Sequence, residues 1–362
     1  MDGLNPRESE NRERFRKSRP RVFEKMARFT DKVKRGDSIA IIQLQYDYRC
    51  NMRCEHCSVK GFQGENSRRA LTPADVAGLA DQADALGLAR FVITGGEPTV
   101  FKDLHDIVRA IDPRRFYINC DSNGWLLDEE KIIYLKGIGI DRIQLSLDSL
   151  DPAAHDAFRR MPGAHARVMK AVDYCLKHGL GVYIQTVVTR ERLFSREFID
   201  FIEFFNNKGV GVFVSYAKPV GAWEGRFENL VRKTDFEYMR GLEKKYRVFT
   251  HLTPGYGLHM GCIAVKGMIS VTQYGDVLPC PYIHTSIGNI FDEPLKDIID
   301  RGLGIKFFGE YRDTCLIAED RDFIFNYVAE KIYGRALPVP CGEIFGPEDR
   351  TKVPFCEEMS EK

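Results

Sequence analysis

Three cysteines, Cys50, Cys54 and Cys57, fall within the stretch YDYRCNMRCEHCSVKG (46–61). Ten cysteines in 362 residues are too few for a disulfide scaffold, and thiols crowded this closely read as metal ligands. A structural zinc site closes its tetrahedron with a fourth N or S donor. The nearby donor, His56, is wedged between Cys54 and Cys57. Three thiolates instead suit a [4Fe-4S] cluster with one iron left open to another ligand. Further along, TGGEP (94–98) sets two glycines, Gly95 and Gly96, which admit close backbone approach, beside Glu97, which can pair with an ammonium. Read more plainly, the same stretch is a strand-to-helix turn.

The C-x3-C-x2-C spacing, with His56 just before its last cysteine, resembles the signature of the radical S-adenosylmethionine (SAM) enzymes. TGGEP resembles that family's motif for holding the methionine amino group of SAM. SLD (146–148) is similar to the residues the family uses on the ribose hydroxyls; Ser146 and Asp148 share one strand face because side chains alternate. SNG (122–124) looks like the family's Thr-Asn-Gly turn with Ser122 in place of Thr, and contributes Asn123. As an ordinary turn it asks only for Gly124 at positive φ. HDAFRR (155–160) resembles a stretch that lends an arginine, here Arg159, to the SAM carboxylate, although a helix-surface arginine is the plain alternative. The resemblance implies that SAM itself chelates the open iron, so that only three thiols are wanted. It also implies reductive cleavage of SAM to a 5'-deoxyadenosyl radical that abstracts a substrate hydrogen.

A second cysteine set follows. CIAVKGMISVTQYGDVLPC (262–280) resembles the opening of the SPASM or twitch auxiliary-cluster domain, where a hairpin with a glycine turn carries two thiolates, here Cys262 and Cys280. SIGNIFDEPLKDII (286–299) looks like the segment that follows it. The dense cysteine run of the long form and the C-x2-C pair of the short form are absent, and Cys315, Cys341 and Cys356 stand singly. One auxiliary [4Fe-4S] cluster is therefore expected, on Cys262, Cys280, Cys315 and Cys341. Cys175 reads as a core thiol, and Cys120 as a core thiol or one facing a barrel interior.

The elements that must position these residues alternate. Strand patterns occupy 38–46, 90–96, 116–124, 142–148, 181–189 and 210–219, β-branched and bounded by Gly, Asp or Pro. Helical patterns lie between them at 72–87, 102–110, 128–136, 151–178 and 196–208, the first with Thr72 as N-cap and Pro73 in its first turn. Six βα units are fewer than a closed eight-unit barrel, so a partial (β/α)6 TIM-like barrel with a small C-terminal SPASM/twitch-like iron-sulfur domain is expected. The motifs then sit at the carboxyl ends of successive strands, where barrels build active sites. The boundaries are placed at 1–36 for a basic helical extension, 37–221 for the barrel and 222–362 for the auxiliary domain, with helix expected over 223–246. The open sheet edges must be covered by the C-terminal part or by a partner.

Composition excludes some classes. The net charge of +1 gives no whole-chain pull toward nucleic acid or membrane. Residues 1–36 carry twelve Lys or Arg against six acids, but Val22, Phe23, Met26, Phe29 and Val33 give them an apolar stripe that docks on the body, and nucleic acid is not expected as a partner. Neither a signal-peptide core nor a membrane-length apolar run is present, so a reducing, cytoplasmic setting is expected. Relatives with this architecture act on sugars or aminocyclitols, or mature ribosomally made peptides. The short segment before the first strand tilts the expectation toward a small polar substrate. Lys218, Trp223, Glu224 and Arg226, and on the second-cluster side His251, Tyr256 and His259, are candidates for contacting it. An auxiliary cluster that accepts an electron from the substrate radical gives oxidation or bond formation; a thiol that returns a hydrogen gives epimerisation. An electron donor such as flavodoxin or ferredoxin is implied.

Overall fold

The computed structural model describes residues 13–63, 67–253, 255 and 258–353. Six parallel strands, β1 (Ile41–Asp47), β2 (Arg90–Gly95), β3 (Tyr117–Ser122), β4 (Arg142–Ser146), β5 (Gly181–Val188) and β6 (Gly211–Tyr216), pair in sequence order. Helices Pro73–Ala85, Leu104–Ile111, Glu129–Ile138, Ala164–His178 and Arg196–Asn207 connect them. This is the partial barrel expected from the alternating pattern. Apolar positions of the strands, among them Ile42, Leu44, Ile93, Cys120, Ile143, Leu145, Ile184 and Val214, pack into the main core, and each is fully buried. Cys120 therefore belongs to the packing layer and not to the barrel interior.

Local chemistry accounts for the element ends. The Thr72 hydroxyl accepts from the Asp75 N–H at 3.3 Å while the Asp75 carboxylate accepts from the Thr72 N–H at 2.9 Å. Such a capping box contributes about 1 kcal/mol. The single helix expected over 151–178 is two, Pro152–Arg159 and Ala164–His178. Pro162 supplies no N–H and disfavours helical backbone before it, and Arg160 (φ 52°) and Gly163 (φ 87°) take the left-handed conformation. The helix expected over 223–246 is confined to Asp235–Lys245, after two short 3-10 turns at Gly221–Trp223 and Phe227–Asn229.

Both edges of the six-strand unit are covered from within the chain. The strand β7 (Val248–Phe249) lies on β6, and the hairpin of β8 (Met268–Val271) and β9 (Asp276–Leu278) joins β1 through β8. The sheet thus runs unbroken from the barrel into the cysteine-bearing C-terminal part. A separate parallel pair is formed by β10 (Thr285–Ser286), which precedes β11 (Gly288–Asn289), and β12 (Val339–Pro340), just before Cys341.

At the amino end, helices Pro20–Ala27 and Phe29–Lys34 dock through Val22, Phe29 and Val33 on Ile39, Ala89, Leu258 and Met260. Several of the segment's cations take part in this docking. Arg19 pairs with Asp141 and Lys25 with Asp84, and the Lys25 and Lys32 ammoniums also donate to the carbonyls of Arg115 and Leu86. Arg7 and Arg12 lie outside the described residues. Among the described residues, no helix is long and apolar enough to cross a membrane.

Candidate active site

The cysteine loop leaves β1 and folds back over the strand ends. Tyr48, buried and stacked on Phe62 at 5.4 Å, anchors its start, with its N–H donating to Gln273 Oε1 at 2.9 Å. Its far side is held by the Ala222 N–H, which donates to the Cys57 carbonyl at 2.9 Å, and by the Glu55 N–H, which donates to the Phe158 carbonyl at 3.1 Å. Burial pushes the Cys50 thiol up to about 11, and the Met52 N–H, 3.4 Å from its Sγ, opposes that rise.

Gly95 and Gly96 fix this loop. A Cβ on Gly96 would lie 2.0 Å from the Arg49 carbonyl oxygen, and one on Gly95 2.4 Å from that of Asp47. The Gly96 and Glu97 N–H groups donate to those same two carbonyls at 2.8 and 2.9 Å. The close approach that the glycines permit is therefore to the stem of the cysteine loop, and it sets the loop's height above the sheet. Glu97, 1% exposed, accepts from the Thr99 hydroxyl (2.6 Å), the Ser122 hydroxyl (2.8 Å) and the N–H groups of Thr99 (3.1 Å) and Asn123 (2.7 Å). Burial pushes its carboxyl upward, against these donors. It ties the second strand end to the third. The Asn123 amide in turn donates to Asn51 Oδ1 in the cysteine loop at 2.8 Å.

Arg159 and Asp148 form a buried pair. The Arg159 Nε donates to Asp148 Oδ2 at 2.7 Å, and its Nη1 reaches Cys54 Sγ at 3.9 Å. Burial alone would raise the Asp148 carboxyl; the guanidinium and the Val187 N–H at 3.0 Å outweigh it and hold it at about 2. The backbone N–H of Asp148 donates to His155 Nδ1 at 3.1 Å, which keeps that imidazole neutral, with burial lowering it to about 4. The His56 ring stacks on Phe158 at 4.4 Å and lies 5.7 Å from Trp223; its pKa is lowered by burial to about 3.

These residues surround a cavity of about 180 Å3. Cys50, Cys54, Cys57, His56, Gly95, Gly96, Glu97, Asn123, Ser146 and Arg159 are all in its wall. Asp148 is not: its carboxylate is taken by Arg159 and Val187, so it acts on the cavity by orienting Arg159. Lys218 and Trp223 of the later candidates also line the wall. Glu224 and Arg226 are exposed, and Tyr256 lies outside the described residues.

Of the second cysteine set, Cys262 and Cys315 are buried and Cys280 half-buried, and the three are close enough to perturb one another electrostatically. Burial pushes Cys280 up to about 12 and raises Cys315 further. Free thiols would stay protonated here, and a bound cation is what makes thiolates tenable. Cys341 is half-buried, and the charged groups that act on it are Arg301 and Glu293. Cys356 lies outside the described residues. Lys218 stands between the two sets. Buried, it donates to the Ser215 hydroxyl at 3.0 Å and the Tyr216 carbonyl at 2.8 Å, sits 4.1 Å over the Tyr282 ring, and feels the thiols of Cys315, Cys280 and Cys262.

The donor set fits clusters and an organic ligand. Three thiols on one short loop, all in the wall of one cavity, suit a cubane, which spreads its thiolates over separate corners. Around the cavity, buried His56 Nδ1, Asn51 Nδ2, Gln43 Oε1, Asp121 Oδ1 and Trp223 Nε1 lack protein hydrogen-bond partners, as expected of a site shaped for a polar molecule. Gln43, Asn51 and Asp121 escaped the motif reading. Their signal was present in the strands: buried parallel strands read as near-continuous apolar runs, yet QLQ (43–45), NCD (119–121) and IQLS (143–146) place polar residues at every second position.

Comparison with known proteins bears on the same residues. Residues 46–205 match the Radical SAM superfamily, and residues 262–315 match SPASM, an iron-sulfur cluster-binding domain. The chain is 30% identical over 236 residues to the probable GTP 3',8-cyclase of Saccharolobus solfataricus, which covers 63% of this chain and 74% of that protein. It is 25% identical over 299 residues to the AdoMet-dependent heme synthase of Nitratidesulfovibrio vulgaris, 74% of this chain and 81% of that one. The solved structure of Streptococcus suis SuiB bound to precursor peptide SuiA shares the fold, with a TM-score of 0.59 at 18% identity over 75% of this chain and 68% of that one. The chain belongs to the radical SAM superfamily, in the branch that carries a SPASM domain, and its cofactors are SAM and [4Fe-4S] clusters, an auxiliary one included.

Proposed function

We propose that this radical SAM enzyme acts on a small polar substrate, sugar-like or aminocyclitol-like, and oxidises or epimerises it. The carrying observation is the shared wall of one cavity, in which the three loop cysteines meet a ring of inward-facing polar side chains. In this reading Cys50, Cys54 and Cys57 hold the SAM-binding cluster. His56, Gly95, Gly96, Glu97, Asn123, Ser146 and Arg159 form the SAM pocket, with Asp148 behind Arg159. Cys262, Cys280 and Cys315 hold the auxiliary cluster. Residues 37–221 are assigned to the first role and 222–362 to the second, with 1–36 as a docked extension.

When bound, a cluster held by Cys50, Cys54 and Cys57 together with SAM would supply the radical chemistry for hydrogen-atom abstraction from the substrate. The chain's own part is placement and shelter. Phe158 and Trp223 enclose His56 and keep water from that side, and Arg159 presents a fixed cation beside Cys54. Lys218 is a buried cation between the cavity and the auxiliary thiols, suited to an anion or to charge that develops there. Cys120 and Cys175 are buried in the core, so neither of these two thiols faces the cavity. A flavodoxin or ferredoxin supplies the electron, reaching the loop on its Cys50 side, where that residue is exposed.

The likeness to a structure holding a precursor peptide motivates a second reading, peptide maturation. Anaerobically reconstituted protein given SAM and reductant is therefore offered dialysable and peptide fractions of host extract, and 5'-deoxyadenosine is measured. Stimulation by the dialysable fraction alone supports the small substrate, and stimulation by the peptide fraction alone supports maturation. Cys54→Ala should abolish release while keeping auxiliary iron; full turnover by that variant would refute the assignment.

A further inference from the structure

The inward positions of this barrel are polar where a barrel interior is ordinarily packed with branched apolar side chains. Gln43 and Gln45 on β1, Thr94 on β2, Asp121 on β3, Ser146 on β4, Gln185 on β5 and Ser215 on β6 all face the cavity. They do not form one level. Glu97, Asn123 and Ser146 sit at or beyond the strand ends, whereas Asp121 pairs in register with Gln144, two residues before Ser146, and Gln43 lies two residues before Gln45, the partner of Thr94. Asp121 and Gln43 thus lie inside the strands, short of the turns that carry Glu97 and Asn123, and their side chains meet each other.

Both carry an orphaned acceptor. Asp121 Oδ1 and Gln43 Oε1 are buried without a hydrogen-bond partner. Burial raises the Asp121 carboxyl to about 7, against hydrogen bonding from the side chains of Gln43 and Thr94, with the acid Glu97 adding to the rise; these two partners still leave Oδ1 unmet. Among the described residues no Lys, Arg or His lies within ion-pair distance of Asp121, whereas Asp148 has Arg159, and Glu97 accepts four hydrogen bonds from Thr99, Ser122 and Asn123. A carboxylate kept only for packing would cost stability without return. Two acceptors side by side, unsatisfied and aimed into a cavity, call for a ligand that brings donors.

We propose that Asp121 and Gln43 are the substrate-recognition floor of the cavity, anchoring a small ligand through hydroxyl or ammonium groups donated to Asp121 Oδ1 and Gln43 Oε1. The inference rests on the small-substrate reading and specifies it: the substrate is rich in hydrogen-bond donors, and Asp121 selects for them. An approaching ammonium or hydroxyl supplies the partner that the carboxylate lacks, so binding and ionisation of Asp121 reinforce each other.

The test uses reconstituted holoenzyme with SAM, and calorimetric titration of glucose, glucosamine, myo-inositol and permethylated glucose. Wild type should bind at least one of the three donor-bearing probes with a dissociation constant below about 10 mM, the range of one or two good polar contacts, and should not bind the permethylated one. Asp121→Asn and, as an independent variant, Gln43→Leu should each weaken that probe by about tenfold, the weight of one charge-assisted or buried hydrogen bond. SAM affinity and the iron-sulfur absorbance should stay unchanged in both. Equal affinity in the variants, equal binding of the permethylated sugar, or no binding of any donor-bearing probe by wild type overturns the proposal. Failure of the radical SAM reading would instead appear in the wild-type control, as absent SAM binding and absent 5'-deoxyadenosine.

Discussion

Replacing Asp148 by Asn keeps the shape of the Arg159 partner and removes its charge, which separates what the ion pair does from what packing does. The folded-state carboxyl stands at about 2 against an ordinary 3.8. That depression corresponds to about 2–3 kcal/mol of stability at neutral pH. Because the folded value lies below the unfolded one, the contribution is complete above about pH 4 and is lost as pH falls through about 2. The variant also leaves the Arg159 guanidinium buried without its counter-charge, and breaking one side of a buried pair costs about 3–5 kcal/mol in general. The two figures describe one interaction from two sides and are not summed; a loss of about 3 kcal/mol is expected. Denaturant unfolding of cluster-free Asp148→Asn and wild type at pH 7, then at steps down to pH 2.5, measures it. The difference should shrink as wild-type Asp148 itself takes a proton. A difference below about 0.5 kcal/mol at pH 7, the range of an ordinary surface change, or one that does not vary with pH, would show that Asp148 does not hold Arg159 by charge. SAM affinity measured on the reconstituted variant then tests whether the Arg159 orientation matters to the ligand; under the proposed assignment it should fall.

Cys341→Ser should leave auxiliary iron per chain and its spectrum unchanged, since the neighbours of Cys341 are Arg301 and Glu293; loss of that iron would place Cys341 among the ligands after all. Buried His155 and His284 are held at about 4 by desolvation, below the usual 6.5. The unfolded chain binds protons at these sites that the folded one refuses, so stability is full above about 6.5 and falls by up to about 3 kcal/mol per imidazole as pH drops to about 4. The denaturant midpoint should move down steadily between pH 7.5 and 5, and a flat midpoint across that window contradicts the neutral, buried assignment.

The sequence made the six strands and the order of the loop motifs legible because both are local: β-branched runs announce strands, and glycine or acidic punctuation announces their ends. It did not reveal that β8 completes the sheet at β1, a pairing of Met268 with Ile41 that joins distant parts of the chain. Hairpin periodicity fixes a strand's near partner and says nothing of its far one. The same gap separates the motif from the reason for it. Gly95 and Gly96 are recognisable as glycines that admit close approach, but what approaches is the Asp47 and Arg49 backbone, a contact visible only once the loop is folded back. Asp148 shares a strand face with Ser146, as alternation requires, yet its carboxylate is claimed by an arginine eleven positions on, which places one residue in the cavity wall and the other behind it.

Substrate recognition is the least legible part for a related reason. The SAM-side residues sit beyond the strand ends in glycine-bounded turns, where sequence is constrained and conspicuous. Gln43 and Asp121 sit inside strands, where a polar residue at an alternate position looks like the solvent face of an ordinary sheet. In a barrel that face closes on itself and water gives way to a cavity, so the same alternation that costs nothing at a surface leaves buried acceptors without partners. The polar stripe therefore carries more information about the substrate than any motif in the chain, and it becomes readable only when the strands on either side are known to curve around it.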